Sequence, residues 1–429
     1  MRHFHRLLII NGFSLLLLSI LTGVAWGLTE TAQKIYQRNS ASVYQIQIID
    51  INSGEKSVIG SGFNFSKKGI FATNYHVISN VVDTPDRYRI EYHKGNEKQG
   101  ELSLLALDVA HDLAILKGES SDSPYLRLDS SNRLKGDRVY PMGNPLDLGM
   151  TIIEGTFNGR IGVNPYQHIL LSAPLNPGMS GGPAFSSSGK VIGVNVAIEG
   201  NDLSYLVPVE YLVKLVKKGI KKQTTREWRT IIQDQILERH THLIRQITKT
   251  KLSLEKFGSL KVPESLLPSG LKCWGSSEPE NLKEKQFFSF GRKWCQSQGD
   301  IYLSSGLFTG SFGYSFVWME SDSLNAMEFY KKYAGKFSRS KFYQYASEKE
   351  VTEFRCENDF VKLATRTWKV AYCVRQYKKY PKLHDVVMSL AVIGEPKRGH
   401  VIRSGMAGIS ENLAKLFLEK LLGGLQWID

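Results

Sequence analysis

Three residues in the first half of the sequence have the types and the order needed for nucleophilic catalysis. Ser180 lies in the segment NPGMSGGPAF, residues 176–185, His76 lies in ATNYHVI and Asp112 lies in AHDLAIL. A serine hydroxyl is a weak nucleophile at neutral pH unless an imidazole accepts its proton, and the imidazole needs a carboxylate to orient it. His76, Asp112 and Ser180 can supply these three groups. The chemistry that they predict requires no cofactor and no metal ion.

The segment around Ser180 contains three glycines and two prolines, which indicates a loop of defined shape. Glycine adopts backbone angles that other residues avoid, and proline fixes the turn that precedes it. Such a loop can direct the backbone N–H groups of Gly178 and Ser180 to one point, where they would stabilise a tetrahedral oxyanion. The alternative is an ordinary tight turn between two strands.

From Ser42 to about Val209 the sequence is typical of short strands separated by turns. SVYQIQI alternates apolar and polar residues, GSGFNFSKKGIFATNYHVI indicates two strands joined by a Lys-Lys-Gly turn, and KVIGVNVAI indicates a buried strand. This pattern predicts an all-β barrel or sandwich. It places His76 at the end of one strand and Asp112 at the start of another. The segment VPVEYLVKLVKKG then predicts a helix that closes the region.

The rest of the chain predicts two further parts. Residues 217–255 favour a helical connector, in which Thr224 and Glu227 form a capping box. Residues 256–429 combine aromatic-rich segments with helical ones, which predicts a separate α+β domain of unknown function.

All four cysteines lie in this last part of the chain. An even number of cysteines in an exported protein favours two disulfides, and four cysteines allow three connectivities. Their wide spacing lacks the close CxxC pairs of a zinc site. The short intervening loops favour the pairs Cys273–Cys295 and Cys356–Cys373.

The N-terminus has the pattern of a secretory signal. Arg2 and Arg6 precede an apolar run from Leu7 to Leu21, and small residues follow at Ala25 and Gly27. The run is shorter than the ~20 residues of a membrane span, so residues 1–27 are predicted to be a cleaved signal peptide. An uncleaved, tilted membrane anchor is the alternative. Both alternatives place the mature protein outside the cytoplasm, in the periplasm or secreted.

The chain has 429 residues, 42% hydrophobic and 22% charged, which is typical of a globular protein with two or three domains. Its net charge is +14 and its pI is about 9.4. The basic residues are scattered along the sequence, which favours a solvated surface and predicts no nucleic-acid partner. Contact with an anionic envelope surface stays an alternative. The sequence predicts no oligomeric state.

The segments TNYHVI, HDLAILK, PMGNPLDLG and NPGMSGGPAF together resemble the trypsin-like serine peptidases, and among these the bacterial HtrA/DegP type. The resemblance covers residues 35–215 and implies a double β-barrel with the active site between the barrels. It implies His76 as general base, Asp112 as its orienting carboxylate and Ser180 as nucleophile. Met179 and Ser172 stand where the family usually has Asn and Asp. No PDZ domain is recognised after residue 217.

Three neighbouring residues could be confused with this triad. Asp108 competes with Asp112, but the resemblance places the aspartate at the head of DLAIL. His111 is expected at the surface, because adjacent strand residues face opposite ways. His168 is expected to be a structural histidine; the alternative resembles the substrate-reading histidine of glutamyl endopeptidases.

The resemblance also implies the walls of the pocket for the P1 side chain, the residue before the scissile bond. These are the segments SAPLN and GVNVAI, with candidate contacts Leu175, Val194, Asn195 and Val196. Ala197 is also apolar, and Glu199 is the first carboxylate in either segment. A basic P1 residue would bury its charge without a partner, so an aliphatic P1 residue is expected unless Glu199 folds back into the pocket.

These observations predict an exported serine endopeptidase that acts on proteins or peptides. Two alternatives remain. One is a binding or chaperone-like envelope protein on a protease scaffold that has lost turnover. In the other, the C-terminal domain is an adaptor for envelope proteins or wall polymer, and the peptidase serves it.

Overall fold

The structure is a computed structural model that describes residues 27–119, 123–163, 166–196, 203–219, 223–267, 270–277, 287–297, 299–338 and 346–428. Apart from its last residue, Gly27, the predicted signal peptide lies outside these ranges. Within the ranges, no helix is both long enough and apolar enough to cross a membrane.

The first six strands close into an antiparallel barrel. They are β1 (Val43–Asp50), β2 (Lys56–Ser66), β3 (Ile70–Thr73), β4 (Tyr88–Lys94), β5 (Glu97–Asp108) and β6 (Leu113–Gly118), with neighbours in the order β1-β2-β3-β6-β5-β4. Helix α1 (Gly27–Asn39) and a 3₁₀ turn (Ser40–Ser42) precede the barrel, and helix α2 (Tyr75–Asp83) lies between β3 and β4. The predicted Lys-Lys-Gly turn joins β2 to β3, with Gly69 at a φ of 66° that glycine adopts without strain.

A second barrel follows. Its region contains β7 (Arg138–Gly143), a 3₁₀ turn (Pro145–Asp147), β8 (Thr151–Ile152), β9 (Gly155–Val163), β10 (Tyr166–Ser172), β11 (Pro183–Ser186), β12 (Val191–Val196) and β13 (Leu203–Pro208). Strand β11 pairs with both β12 and β7, which closes a six-stranded barrel of β7, β9, β10, β13, β12 and β11. Helix α3 (Val209–Lys218) ends the region. The predicted all-β double barrel is confirmed.

Helix α4 (Thr225–Lys249) connects the barrels to the rest of the chain. Its predicted capping box is present: the Glu227 N–H donates to Thr224 Oγ1 at 3.3 Å, and the Thr224 N–H donates to Glu227 Oε2 at 2.6 Å. The N-terminal half of α4 packs against the first barrel, and the C-terminal half packs against the following domain. The buried residues are Trp228, Ile232 and Ile236 in the first half and Leu243, Ile244 and Ile247 in the second.

The C-terminal part combines sheets and helices, as predicted. A seven-stranded antiparallel sheet has the order β16 (Leu271–Ser277), β17 (Ser289–Ser297), β20 (Phe312–Glu320), β24 (Arg398–Ile409), β23 (His384–Ile393), β22 (Arg366–Gln376) and β21 (Arg355–Leu363). A smaller sheet contains β14 (Leu254–Phe257), β15 (Leu260–Pro263) and β25 (Gln426–Trp427), and a separate hairpin contains β18 (Ile301–Ser304) and β19 (Leu307–Thr309). The helices are α5 (Ala326–Ser338) and α6 (Glu411–Gly423).

Each disulfide joins two neighbouring strands of the large sheet. Cys273 on β16 is bonded to Cys295 on β17, and Cys356 on β21 is bonded to Cys373 on β22. In each pair the two cysteines are direct partners in the strand register. These are the two pairs that the short loops favour.

Candidate active site

Asp112 holds His76 through two hydrogen bonds. The His76 Nδ1 atom lies 2.6 Å from Asp112 Oδ2, and the His76 backbone N–H donates to Asp112 Oδ1 at 2.9 Å. The predicted position of His76 at a strand end is wrong, because His76 is the second residue of helix α2. Strand β3 ends at Thr73, and Asn74 takes the extended backbone conformation of a helix N-cap.

Asp112 lies in a tight turn just before β6. Its φ of 53° falls in the left-handed region, which aspartate tolerates better than most residues. The Asn74 side chain donates from Nδ2 to the Asp112 carbonyl oxygen at 2.8 Å. Because Asn74 also begins helix α2, one residue fixes both the turn that carries Asp112 and the helix that carries His76.

The loop between β10 and β11 carries Ser180 and is tied to strand β2 of the first barrel. The Ser61 N–H donates to the Ser180 carbonyl oxygen at 2.7 Å. The Ser61 hydroxyl donates to the Gly178 carbonyl oxygen at 2.7 Å and accepts from the Asn144 N–H at 2.9 Å. Ser61 therefore links the two barrels next to the expected nucleophile. Ser180 itself is only 5% exposed.

Two glycines allow close packing of this loop, Gly181 against the first barrel and Gly178 against the segment after β7. Gly178 and Gly181 have φ values of 93° and 86°. A Cβ atom at Gly181 would lie 2.2 Å from the Ser61 carbonyl oxygen and 3.0 Å from the Asn74 nitrogen, and one at Gly178 would lie 2.4 Å from the Asn144 carbonyl oxygen. Only glycine fits at either position. The loop of Ser180 is thus packed against the turn that leads into His76.

Residues 60–194, which run from β2 in the first barrel to β12 in the second and include His76, Asp112 and Ser180, match the family model of the trypsin-like peptidase domain. This chain carries a trypsin-like peptidase domain. The chain spans about a third of the length of the curated relatives that it matches.

One of these relatives is a probable periplasmic serine endoprotease, DegP-like, of Brucella suis biovar 1 (strain 1330). It is 35% identical over 182 residues, which are 39% of this chain and 34% of that protein. A putative serine protease, HhoB, of Synechocystis sp. (strain ATCC 27184 / PCC 6803 / Kazusa) is 33% identical over 162 residues, 35% of this chain and 38% of that protein. The solved serine endoprotease from Yersinia pestis is 25% identical, covering 44% of this chain and 65% of that chain, with a TM-score of 0.38.

The surroundings of His76 act on its pKa in opposite directions. Burial lowers the pKa of the imidazole, but the negative charge of Asp112 and the hydrogen bond to it outweigh burial, so the pKa of His76 is raised above its usual value. The two side chains are 27% and 23% exposed. A proton on Nδ1, donated to Asp112, leaves Nε2 as the ring atom that can accept a proton from a hydroxyl group.

A second histidine and aspartate form a similar pair nearby. His111 Nδ1 lies 2.7 Å from Asp108 Oδ2, so Asp108 contacts His111 while Asp112 contacts His76. The expected surface position of His111 is wrong, because its side chain is only 14% exposed. It lies in a turn, where strand alternation does not apply, and the Tyr211 ring lies 4.0 Å from its own.

His168 lies on β10 in the second barrel. Burial lowers its pKa to about 4, which makes it neutral at neutral pH. Its ring lies 6.3 Å from that of Tyr205 on the neighbouring strand β13. Both the expected structural role of His168 and its alternative role in substrate reading stay predictions.

The predicted pocket residues lie in or next to the second barrel. Leu175 and Val194 are buried, and Val196 is partly buried. Asn195 donates from Nδ2 to the Met142 carbonyl oxygen at 3.0 Å, and its backbone bonds to the serine loop at Gly181 and Gly182. Asn195 therefore holds the loop in place. Ala197 and Glu199 lie outside the described residues, and the pocket role of the other residues stays a prediction.

Three residues that shape this site are assigned no role from the sequence. Ser61 and Asn74 act through hydrogen bonds to the backbone carbonyl oxygens of Gly178 and Asp112. Their local sequence does not indicate these distant partners. Tyr302, from the C-terminal part, lies with its ring 6.1 Å from the ring of His76. Of the described residues, no group of three or more His, Cys, Asp or Glu side chains is arranged to hold a metal ion.

Proposed function

We propose that the protein is an exported serine endopeptidase that hydrolyses peptide bonds through an acyl-enzyme intermediate. The observation that carries the proposal is the pair of hydrogen bonds that His76 makes to the Asp112 carboxylate, next to the glycine-lined loop of Ser180. The serine endoproteases and proteases named among the relatives support the same activity.

In the proposed reaction, Ser180 Oγ attacks the carbonyl carbon of the scissile bond while His76 Nε2 accepts the hydroxyl proton. Asp112 orients the ring and stabilises the imidazolium ion. The carbonyl oxygen becomes an oxyanion, which the N–H groups of Gly178 and Ser180 stabilise. His76 then protonates the leaving amine as the C–N bond breaks. A water molecule hydrolyses the resulting ester by the same route and regenerates the serine.

The proposed substrates are proteins or peptides with an aliphatic P1 residue. Within the described part of the two pocket segments, Leu175, Val194 and Val196 are apolar. A lysine or arginine side chain there would lose its hydration without gaining a partner. Profiling with a peptide library tests this preference, and a dominant preference for Arg or Lys would contradict it.

The proposed location is the periplasm or the extracellular space. Two disulfides favour an oxidising compartment, and DegP-like relatives are named as periplasmic. The proposed organisation is a signal peptide at 1–27, a peptidase domain at 35–215, a helical connector at 217–255 and a C-terminal domain at 256–429.

Labelling with a fluorophosphonate, which reacts with activated serines, tests the proposed activity. We expect the wild-type protein to carry one adduct, mapped by peptide mass spectrometry to Ser180, and Ser180→Ala to carry none. Ser186→Ala is the matched control, because Ser186 is also buried but lies on strand β11 and bonds to the Lys190 carbonyl oxygen. A folded wild-type protein without an adduct would favour the binding or chaperone-like alternative.

A further inference from the structure

The helix that carries His76 needs support from outside itself. Helix α2 has only nine residues, and helices of this length are marginal in water without tertiary contacts. Val77 and Ile78 pack into the first barrel. Other contacts come from a part of the chain that the sequence motifs of the peptidase do not include.

The first of these contacts is made by the hairpin of β18 and β19. The Tyr75 hydroxyl, next to His76 in sequence, donates to the Leu303 carbonyl oxygen at 3.1 Å, across a separation of 228 residues. Tyr75 is 1% exposed, so this bond is shielded from water. The hairpin is therefore fixed against the start of α2.

Tyr302 of the same hairpin reaches His76 by two routes. Its ring lies edge-on to the imidazole, at an interplanar angle of 75°. Its hydroxyl is hydrogen-bonded to Ser79, and the Ser79 hydroxyl donates to the His76 carbonyl oxygen at 3.1 Å. Tyr302 thus contacts the ring of His76 directly and its backbone through one intermediate side chain.

The far end of α2 is held by the same domain. Lys379 Nζ lies 2.6 Å from Oδ1 of Asp83, the last residue of the helix, and 3.2 Å from Oε1 of Glu350. The C-terminal part therefore contacts the start, the middle and the end of α2.

The hairpin has firm anchors of its own. Thr309 Oγ1 lies 2.9 Å from the Tyr377 hydroxyl, which donates to the buried Asp385 at 2.7 Å. Arg239 of the connector helix donates to the Gly310 carbonyl oxygen at 2.9 Å. Because the hairpin is hydrogen-bonded to the large sheet and to the connector helix, it can hold α2 in one position.

We infer that Tyr302 is a positioning residue for His76, and that the C-terminal domain is a required part of the catalytic centre. The inference rests on the proposed peptidase function. A general base must be held in register with its nucleophile, and a displacement of ~1 Å can lower the rate about a hundredfold. The hairpin, which lies outside the two barrels, keeps His76 in position relative to the nucleophile.

The test compares variants of the full-length mature protein. Tyr302→Ala removes the ring and the hydroxyl, Tyr302→Phe removes the hydroxyl alone, and Trp274→Ala is the control. Trp274 is also an aromatic residue of the C-terminal domain that stacks on another ring, but it lies at the edge of the large sheet. Folding is checked by thermal unfolding. The readouts are kcat and KM for a quenched fluorescent peptide, the pH profile, and the low-field NMR signal of the His76 Nδ1 proton.

We expect Tyr302→Ala to lower kcat about tenfold to a hundredfold with a smaller change in KM, and to shift or broaden the Nδ1 signal. Tyr302→Phe should fall between this variant and wild type, and it keeps the test open if Tyr302→Ala fails to fold. Folded Tyr302 variants with wild-type kcat, pH profile and Nδ1 signal would overturn the inference. If the wild-type protein lacks turnover, the proposed function fails, but the Nδ1 signal still reports whether Tyr302 positions His76.

Discussion

Asp108 and Asp112 lie at opposite ends of the short turn between β5 and β6, and each is hydrogen-bonded to one histidine with nearly the same geometry. In each pair, one aspartate accepts both the Nδ1 proton and the backbone N–H of a single histidine. The Nδ1 distance is 2.6 Å from His76 to Asp112 and 2.7 Å from His111 to Asp108, and the backbone distances are 2.9 and 3.2 Å.

The surroundings of the two pairs differ. The His111 ring is packed between Tyr166 and Tyr211, whose ring centroids lie 5.2 and 4.0 Å away. The His76 turn is packed against the loop of Ser180. We propose that a hydrogen-bonded pair alone is not sufficient for catalysis, and that the neighbouring loop decides which histidine takes a proton from a nucleophile. The following predictions test this distinction.

The largest expected difference is between His76→Ala and His111→Ala. Loss of the proposed general base should lower kcat about 10⁴- to 10⁶-fold, as loss of a triad histidine does in comparable enzymes. His111→Ala should change kcat less than about threefold, because its aspartate and aromatic contacts serve packing. Steady-state kinetics on both purified variants, with thermal unfolding to check folding, measure the difference. Equal losses in the two variants would show that the second pair takes part in turnover.

Substitution of Asp112 should likewise lower kcat more than substitution of Asp108. Asp112→Asn keeps the shape of the side chain but favours the wrong tautomer of His76, and we expect about a 10⁴-fold loss of kcat. Asp108→Asn is the matched control and should retain turnover. Wild-type activity in Asp112→Asn would return Asp108 to consideration as the orienting residue.

Substitution of a closely packed glycine in the Ser180 loop should lower activity more than substitution of a glycine with open space around it. Gly181→Ala would place a Cβ atom 2.2 Å from the Ser61 carbonyl oxygen, so the loop must move and its oxyanion donors must move with it. Loss of one such donor lowers kcat about 10²- to 10³-fold. Gly54→Ala is the control, because Gly54 also has a positive φ but has nothing within 4 Å of its Cβ position. Fluorophosphonate labelling rates measure both variants, and an unchanged rate in Gly181→Ala would contradict the assigned loop geometry.

The pH dependence of turnover should report the protonation of His76. Because its pKa is raised above 6.5, the acid limb of kcat/KM should lie above pH 6.5. The protonated ring adds stability at low pH, and this contribution is lost as pH rises through the folded-state pKa. Activity should rise over the same pH range, because deprotonation of His76 produces the base that accepts the serine proton. In Asp112→Asn only the effect of burial remains, and an NMR titration should find the pKa of His76 below that of wild type. An unchanged or higher pKa in that variant would be inconsistent with this cause.

The sequence predicts the parts of this arrangement that depend on local patterns. Apolar alternation and turn glycines predict the two barrels, and the capping box at Thr224 predicts the start of the connector helix. The position of His76 on a helix is missed, because the apolar strand pattern continues past the N-cap at Asn74. Tyr302 is missed for a different reason: its contact with His76 depends on how the hairpin packs on α2, and no local pattern encodes a contact across more than half of the chain.

The smallest expected effect concerns the stability that Asp108 contributes. Burial raises the pKa of its carboxyl, but the hydrogen bonds and charge of His111 outweigh burial, so the pKa lies below its usual value. Such a group adds stability above its unfolded-state pKa, and this contribution is lost as pH falls through the folded-state pKa. Asp108→Asn should therefore lower the free energy of unfolding by about 1.5–3 kcal/mol at neutral pH, the range for a hydrogen bond to a charged group. Urea unfolding at neutral pH and at several acidic pH values measures this difference, which should shrink as pH falls. A difference that grows with acidity would mean that the Asp108 carboxylate destabilises the fold, and the second pair would then need a role other than packing.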